Sequence, residues 1–437
     1  MHCPLCVRTF AVRTRPSKNI ARRLVLATVL ALATAAHAQT AEPLRLADVL
    51  EIAARANPQI QVVRQRAAAL RAVPAQVSAY DDPMLSWEGW DIPDSLNLGQ
   101  AENNIFRLSQ KIPFPGKRTL AGTVAEHMAD AGEQEVNSVG LDVAAAVERA
   151  YFDLWLSHQR RAILSRDREL VEQVARTTEQ KYGVGEATQA DALRAQVELT
   201  HMTIEVSSAA LAVQNAAAEL NALLSQPPDQ PLGVPEDVRV QPLSASVETL
   251  TDLALRQRPE LAAQRAALAG DESGVELAQQ GWRPDFELSF GRFINYSRSD
   301  GFGAIVSVSL PFVYGGKYTA ATAEARAKVA AGEADLRAWQ DRIRREVAQA
   351  YARVQTAALQ HSLAEGTHMP QAEQALHVTE SAYRTGSADF ASLLDTVRRI
   401  EEVHLQHAGA AAELGRATAD LERAVGGALP APIAARN

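Results

Sequence analysis

Two patterns of apolar positions share this chain, and each occurs twice. Long stretches with apolar residues three and four apart, the helical spacing, are broken by short stretches of strict alternation. The alternation is plainest in the second half, where Phe286, Leu288 and Phe290 interleave with Glu287, Ser289 and Gly291. Ala304, Val306, Val308 and Leu310 then interleave with Ile305, Ser307 and Ser309. In the first half Leu85 and Trp87 flank Ser86 with Glu88 beyond, and Phe106 and Leu108 sit around Arg107 and Ser109. A period of two with one apolar face predicts strands, over residues 84–92, 103–112, 284–293 and 302–312. Aromatic residues Trp87, Trp90, Phe293, Tyr296, Phe302 and Phe312 lie towards the ends, as in an interfacial girdle.

The helical stretches are unusually long. Residues 119–182 contain no proline and predict one helix of about 95 Å at 1.5 Å per residue. Residues 319–383 repeat that length with Pro370 as a single expected kink. Shorter helices are expected at 189–224 and 389–425 after a tight turn, and at 46–79 and 250–280 before the strands. Two of the shorter helices end to end roughly match one long one, the proportion of a bundle.

The order helix, strand pair, long helix, return helix therefore recurs about 200 residues apart. Pro113-Phe114-Pro115-Gly116-Lys117 answers to Pro311 through Lys317, Tyr182 and Gly185 answer to Tyr383 and Gly386, and Glu219-Leu220 answers to Asp420-Leu421. Leu46-Ala47-Asp48 with Asn57-Pro58 is matched to Leu250-Thr251-Asp252 with Arg258-Pro259. A unit this long is a duplicated half and not a solenoid repeat. The expected organisation is a first repeat over 39–226, a proline-rich linker over 227–246, a second repeat over 247–427 and a tail over 428–437.

Residues 1–38 stand apart. They carry six basic and no acidic side chains, an apolar run over 24–35 and Ala36-His37-Ala38, the pattern of a cleaved secretory signal. Alanine at the last of these positions, where a lipid anchor needs cysteine, argues against lipidation. Without that segment 38 basic residues face 52 acidic ones, a net charge of −14 that speaks against nucleic-acid binding. Both cysteines, Cys3 and Cys6, fall in the signal, so the exported chain has no disulfide and no thiolate metal site. No run of 18 apolar residues follows, which argues against an inner-membrane helical protein and leaves strands or an amphipathic surface for any membrane contact. Phosphate-binding Gly-Lys loops, G-x-S-x-G and H-E-x-x-H are missing, and with them any reading as an enzyme.

Four spanning strands cannot close a barrel, because open edges are not tolerated in lipid. The strands predict an oligomer, eight-stranded as a dimer or twelve-stranded as a trimer, continuous with a ring of helices.

The duplicated set of elements and motifs, over residues 46–426, resembles the TolC-like outer-membrane efflux channels. The resemblance implies a mostly α protein with a β-barrel portion: a homotrimer with a twelve-stranded outer-membrane barrel in lipid and a periplasmic tunnel of long helical hairpins. It further implies docking by a periplasmic adaptor and an inner-membrane pump of the RND type, passive conduction and no cofactor. Asp81 through Ser86 and Gln110 through Arg118 look most like the heavy-metal branch. Drugs or a secreted protein are the alternative cargoes, and a soluble periplasmic coiled-coil scaffold or adaptor is the alternative of another class.

By the same resemblance Tyr182, Gly185, Tyr383 and Gly386 form the tip turns that an adaptor engages. Asp191 matches the aspartate of the aperture network and Tyr383 the tyrosine that bonds it. The family's basic partner is replaced by Ala388, which leaves Arg384 to substitute. Asp395 matches the inner of two acidic rings, while the outer position is Ser392. Three copies of Asp395 around an axis would attract cations. Among the histidines, His404 and His407 share a helix face at i, i+3, and a hairpin folded near 385–386 returns them opposite His361 and His368. Imidazoles so placed can ligate copper or zinc; plain surface histidines are the ordinary alternative.

Overall fold

The structure, a computed structural model, describes residues 43–237 and 243–430. The expected signal at 1–38, part of the linker and most of the tail lie outside the described residues. Each half opens with a helix broken by a proline, α1 (Leu46–Ala56) and α2 (Pro58–Val77) in the first, α5 (Val247–Gln257) and α6 (Pro259–Gln280) in the second. Strands β1 (Met84–Trp90) and β2 (Asn103–Ile112) follow, then α3 (Lys117–Gly183) and α4 (Gln189–Leu223). The second half repeats this with β3 (Phe286–Asn295), β4 (Gly301–Val308), α7 (Gly315–Leu363), α8 (Met369–Arg384) and α9 (Phe390–Val425). Among the described residues no helix is long and apolar enough to cross a membrane.

The halves align on their buried positions. Val49 and Ala53 in α1 answer to Leu250 and Ala254 in α5, and all four are at most 1% exposed. The expected match of Leu46 to Leu250 is three residues out of register, because the buried stripe and not the local sequence sets the alignment.

The four strands form one antiparallel sheet in the order β1-β2-β3-β4, with β2 and β3 joining the halves. Register places Leu85, Leu108 and Phe290 in one row and Trp87 and Phe106 in the next, on an exposed apolar face. The other face carries Ser86 beside Arg107, Ser109 bonded to Ser289 at 2.8 Å, and Lys111 opposite Glu287. Three strands differ from expectation. β1 stops at Trp90, where Asp91 takes a positive φ of 51°. β3 starts two residues late, after Pro284, and runs two residues further; β4 ends at Val308 because Pro311, which has no N–H to donate, opens a 3₁₀ turn over Pro311–Tyr314.

The Pro-Phe-Pro-Gly-Lys segment turns the chain from sheet to long helix. Gly116 adopts φ 98°, and the Phe114 N–H and the Lys117 Nζ both donate to Asp285 Oδ1 at 2.8 Å, tying the turn to the start of β3. Helix α3 then runs unbroken for 67 residues, about 100 Å. Its counterpart does not. The chain passes from α7 through a π-helical turn, Ala364–His368, into α8, so the expected kink at Pro370 is a widened turn just before it. Proline cannot donate to the carbonyl four residues back and crowds it, and a π turn absorbs both defects.

Among the described residues three larger cores and a small one of Ala372, Ile400 and Val403 hold the helices together. Val143, Val147, Tyr151 and Leu154 of α3 pack on α1 and α4 in the first half, while Ile343, Val347 and Val354 of α7 pack on α5 and α9 in the second. A third core near the tips belongs to both halves, with Val171, Met202, Tyr383, Phe390 and Val397. The linker is stitched down: Leu44 and Pro235 form a parallel bridge, and the Tyr151 hydroxyl donates to Leu44 O at 2.8 Å.

Where α3 crosses α9, ion pairs run between the halves: Arg149 meets Asp420 and Arg423 meets Asp142, each at 2.6 Å, and Arg423 also meets Glu260 of its own half at 2.6 Å. Arg258, 4% exposed, donates to Glu260, to Glu346 and to the end carbonyl of α9 at Ala424, much as its first-half counterpart Asn57 donates to Leu223 O. Burial alone would raise the Glu260 carboxyl, but its bonds to Arg258 and Arg423 prevail and lower it to about 2.

Two outcomes are expected. Gly415 faces Phe152 so closely that an added Cβ would lie 2.4 Å from the ring, so Gly415→Val should cost about 1–3 kcal/mol or more in thermal unfolding. Glu148, in the same crossing, is raised to about 7 by burial and then by Glu422, against Arg149. A carboxyl whose folded value is raised holds its proton in the folded state. Its contribution is therefore complete below the ordinary value of 4.5 and is lost as pH rises through about 7. The melting temperature should fall between pH 5 and pH 8, and Glu148→Gln should flatten that fall.

Candidate functional site at the helical tips

Both hairpins end in the same turn. After α3, Gly185 takes φ 85°, its N–H reaches Tyr182 O at 3.1 Å, and Glu186 N–H reaches Lys181 O at 2.8 Å. After α8, Gly386 takes φ 76°, its N–H reaches Tyr383 O at 3.2 Å, and Ser387 N–H reaches Ala382 O at 2.9 Å. These paired bonds around a left-handed glycine satisfy the last carbonyls of a helix. Tyr182 and Val184 stand out into solvent at 46% and 73% exposure, and Arg384 is exposed as well.

Return helices start with caps. Thr188 caps α4 and Asp191 closes the box, its Oδ2 accepting from the Thr188 hydroxyl at 2.7 Å and the Thr188 N–H at 3.2 Å. Asp389 caps α9 through Ser392 N–H at 2.8 Å, and the Ser392 side chain first, then this N–H, hold its carboxyl below the usual range.

The expected Asp191–Tyr383 bond is not made within the chain. Tyr383 is 7% exposed and turned into the shared core, where its hydroxyl lies 3.1 Å from the Thr178 hydroxyl of α3. Lys181 donates to Tyr383 O at 2.9 Å and lies 4.6 Å from the ring centroid. Asp191 is held by its cap, with Arg194 at 3.8 Å as its cation, and Arg384 pairs with Glu380 at 3.9 Å within its own helix. A capping aspartate at the third helical position is already satisfied locally, which is why the partner implied by the resemblance is not the one it has within this chain. Asp395 is exposed, one turn before Arg398.

The stronger link between the tips was not anticipated. Arg398 of α9 makes a bidentate pair with Glu198 of α4, at 3.0 and 2.5 Å, and Glu198 is 5% exposed. The two residues lie 200 positions apart, one short of the 201 that separates Gly185 from Gly386, so they are not equivalent positions and the repeat gave no signal for the pair.

The histidines separate. His361 of α7 and His407 of α9 stack at 5.4 Å between ring centroids, as the hairpin register anticipates. His404 turns instead to Asp167 of α3, with 3.8 Å between Nδ1 and Oδ1, and His368 sits exposed in the π turn beside a groove lined by Gln371 and Gln406. Among the described residues no three metal-binding side chains converge on one point. The expected four-histidine grouping is therefore not assembled: His404 faces Asp167 and His368 is exposed, while only His361 and His407 stack.

The chain belongs to the outer membrane efflux protein family, whose model matches residues 49–226 and 250–427, both repeats in full. Members are passive outer-membrane channels with a helical tunnel below a strand-built portion, and not enzymes. The outer-membrane channel OprN is similar at 19% identity and TM-score 0.73, over 87% of this chain and 90% of that one. VceC from Vibrio cholerae is similar at 18% identity and TM-score 0.72, over 88% and 97%, and CusC at 15% identity and TM-score 0.74, over 87% and 92%. No curated protein sequence matches. The helical content, the small sheet and the doubled order of elements agree with the fold of these channels.

The tip contacts generate a stability test. Arg398→Met leaves the buried Glu198 carboxylate unpaired and should cost about 2 kcal/mol, discounted because Arg398 itself is half exposed. Arg398→Met with Glu198→Leu should recover most of the loss. Tyr383→Phe should cost about 1 kcal/mol, the value of one buried hydroxyl bond. Thermal unfolding in detergent checks all three.

Proposed function

We propose that the chain is the outer-membrane duct of a tripartite efflux assembly and works as a homotrimer with a twelve-stranded barrel. The observation that carries this reading is a sheet with an apolar outer face and two unpaired edges, β1 and β4. In lipid those edges must pair, and a β4-to-β1 contact repeated around an axis closes them. The helices support the same geometry. Leu193, Val197, Ile204 and Leu211 of α4 are 57–69% exposed and spaced four, seven and seven apart, a seam for a neighbouring helix. Leu359 and Leu363 of α7 and Val378 of α8 form an exposed apolar flank on the other hairpin, so a head-to-tail ring can bury one against the other.

A segment at 1–38 of secretory type fits export to the outer membrane without lipidation. The tip turns, Tyr182 through Gly185 and Tyr383 through Gly386, are the surface offered to a periplasmic adaptor, with Tyr182, Val184 and Arg384 exposed and Tyr383 buried behind them; the adaptor couples the duct to an inner-membrane pump of the RND type. Asp191, Tyr383, Arg384 and Asp395 surround the closing end, with the exposed Asp395 carboxylates of three chains as a cation-attracting ring. Heavy-metal cations are the proposed cargo, on the likeness of Asp81 through Ser86 and Gln110 through Arg118 to the metal branch.

Two measurements test this. The protein should fractionate with outer membranes, require detergent and migrate as a trimer, and Val197→Glu with Ile204→Glu should convert it to monomer; a trimer unaffected by both charges would move the interface elsewhere. A deletion strain should lose tolerance to zinc, cobalt, cadmium or copper. Unchanged metal tolerance with lost drug tolerance would reassign the cargo and leave the channel in place.

A further inference from the structure

The crossing of α7, α9 and α3 beside the π turn gathers a disproportionate share of unsatisfied polar atoms. Among the described residues eight buried side-chain nitrogen or oxygen atoms have no hydrogen-bond partner in the protein, and four of them are here. They are His361 Nδ1, His404 Nδ1, His407 Nε2 and Asp167 Oδ2. Asp167 is 3% exposed. A buried polar atom left unpaired costs about 1–3 kcal/mol. His404 Nδ1 and Asp167 lie against each other, and a bound ion is an explanation for the two atoms that remain, His361 Nδ1 and His407 Nε2.

The arrangement of the other ring atoms narrows the explanation. His361 Nε2 faces Glu365 Oε2 at 3.8 Å, and His404 Nδ1 faces Asp167 Oδ1 at 3.8 Å. Both distances are too long for a hydrogen bond yet aim one nitrogen of each ring at a carboxylate. Metal-binding histidines are commonly oriented in this way, by a carboxylate behind the nitrogen that does not bind.

We propose that His361, His404 and His407 form a site for a divalent transition-metal cation of the zinc or cobalt class, oriented by Glu365 and Asp167. Three imidazoles and a water complete a tetrahedral shell for such an ion, and nitrogen donors exclude magnesium and calcium. The rings do not yet converge: His361 and His407 are stacked, and binding turns them edge-on to a common point. The backbone beside them suits that movement, since π turns recur at functional sites and this one replaces a regular helical turn only in the second half. The ion would join α7 to α9 beside the bend, with Asp167 extending the contact to α3 of the other hairpin. The site is independent of the cargo, because it is a feature of the wall and not of the passage.

Calorimetric titration of the full chain in detergent with ZnCl2 at pH 7.5, and the visible spectrum with CoCl2, test the site. The expected result is one ion per chain, tetrahedral cobalt bands, and at least a tenfold loss of affinity in His361→Gln and in His407→Gln. Asp167→Asn should weaken binding less and shift its pH dependence, while His368→Gln should leave it unchanged. Each variant's melting temperature without metal shows that it folds. Failure of zinc to bind, binding that survives the His361→Gln, His407→Gln double substitution, or a response to protons alone would overturn the proposal. Metal tolerance of the deletion strain reports the cargo separately.

Discussion

The unpaired edges of the sheet constrain everything else. Four antiparallel strands with one greasy face cannot stand alone in water or in lipid, because β1 and β4 each present a row of open backbone donors and acceptors. Closing those edges on other copies of the chain sets an axis. The helices that leave the sheet at Lys117 and Gly315 then continue along that axis, and their length decides how deep the structure reaches. The Asp285 contact to Phe114 and Lys117 matters for this reason: it fixes the angle at which strand becomes helix across the two halves.

Duplication gives near-symmetry, and the departures from it are where chemistry collects. The first half joins its opening helices to its return helix with a neutral Asn57 bond, while the second uses a buried arginine wired to Glu260 and Glu346. One long helix is continuous, and the other passes through a π turn ahead of Pro370. The tips share a turn geometry but not their surroundings, since Tyr383 is buried against Thr178 while Tyr182 faces solvent. The two hairpins of one chain thus pair a continuous helix with an interrupted one.

Charge pairs at the α3–α9 crossing and at the tips divide the labour. Arg258, Glu260 and Arg423 lie in a low-exposure network whose loss would strand buried charge, so that level of the bundle is held firmly. Near the tips the Glu198–Arg398 pair is open to solvent on the arginine side and is correspondingly easier to break. Cohesion thus weakens from the α3–α9 crossing towards the tip turns.

Most of the architecture was legible in the residues. Alternation found all four strands, the proline-free stretch found α3, and the doubled Tyr-x-x-Gly turns placed both tips, because each of these depends on local backbone chemistry. Strand ends slipped by a few residues where Asp91 or Pro311 decided termination. Long-range pairing was another matter. The resemblance implied a bond from Asp191 to Tyr383, yet a capping box satisfies Asp191 locally; Thr178 and Lys181 were invisible as partners of Tyr383 because a hydroxyl and an ammonium on a long helix carry no directional pattern. The sequence by itself determined periodicity, element order and the two-fold internal repeat, which follow from spacing along one chain. Only the tertiary structure decided which buried groups face one another, because that depends on how helices some 100 Å long rotate about their axes, and a rotation of one residue, about 100°, is enough to exchange one partner for another.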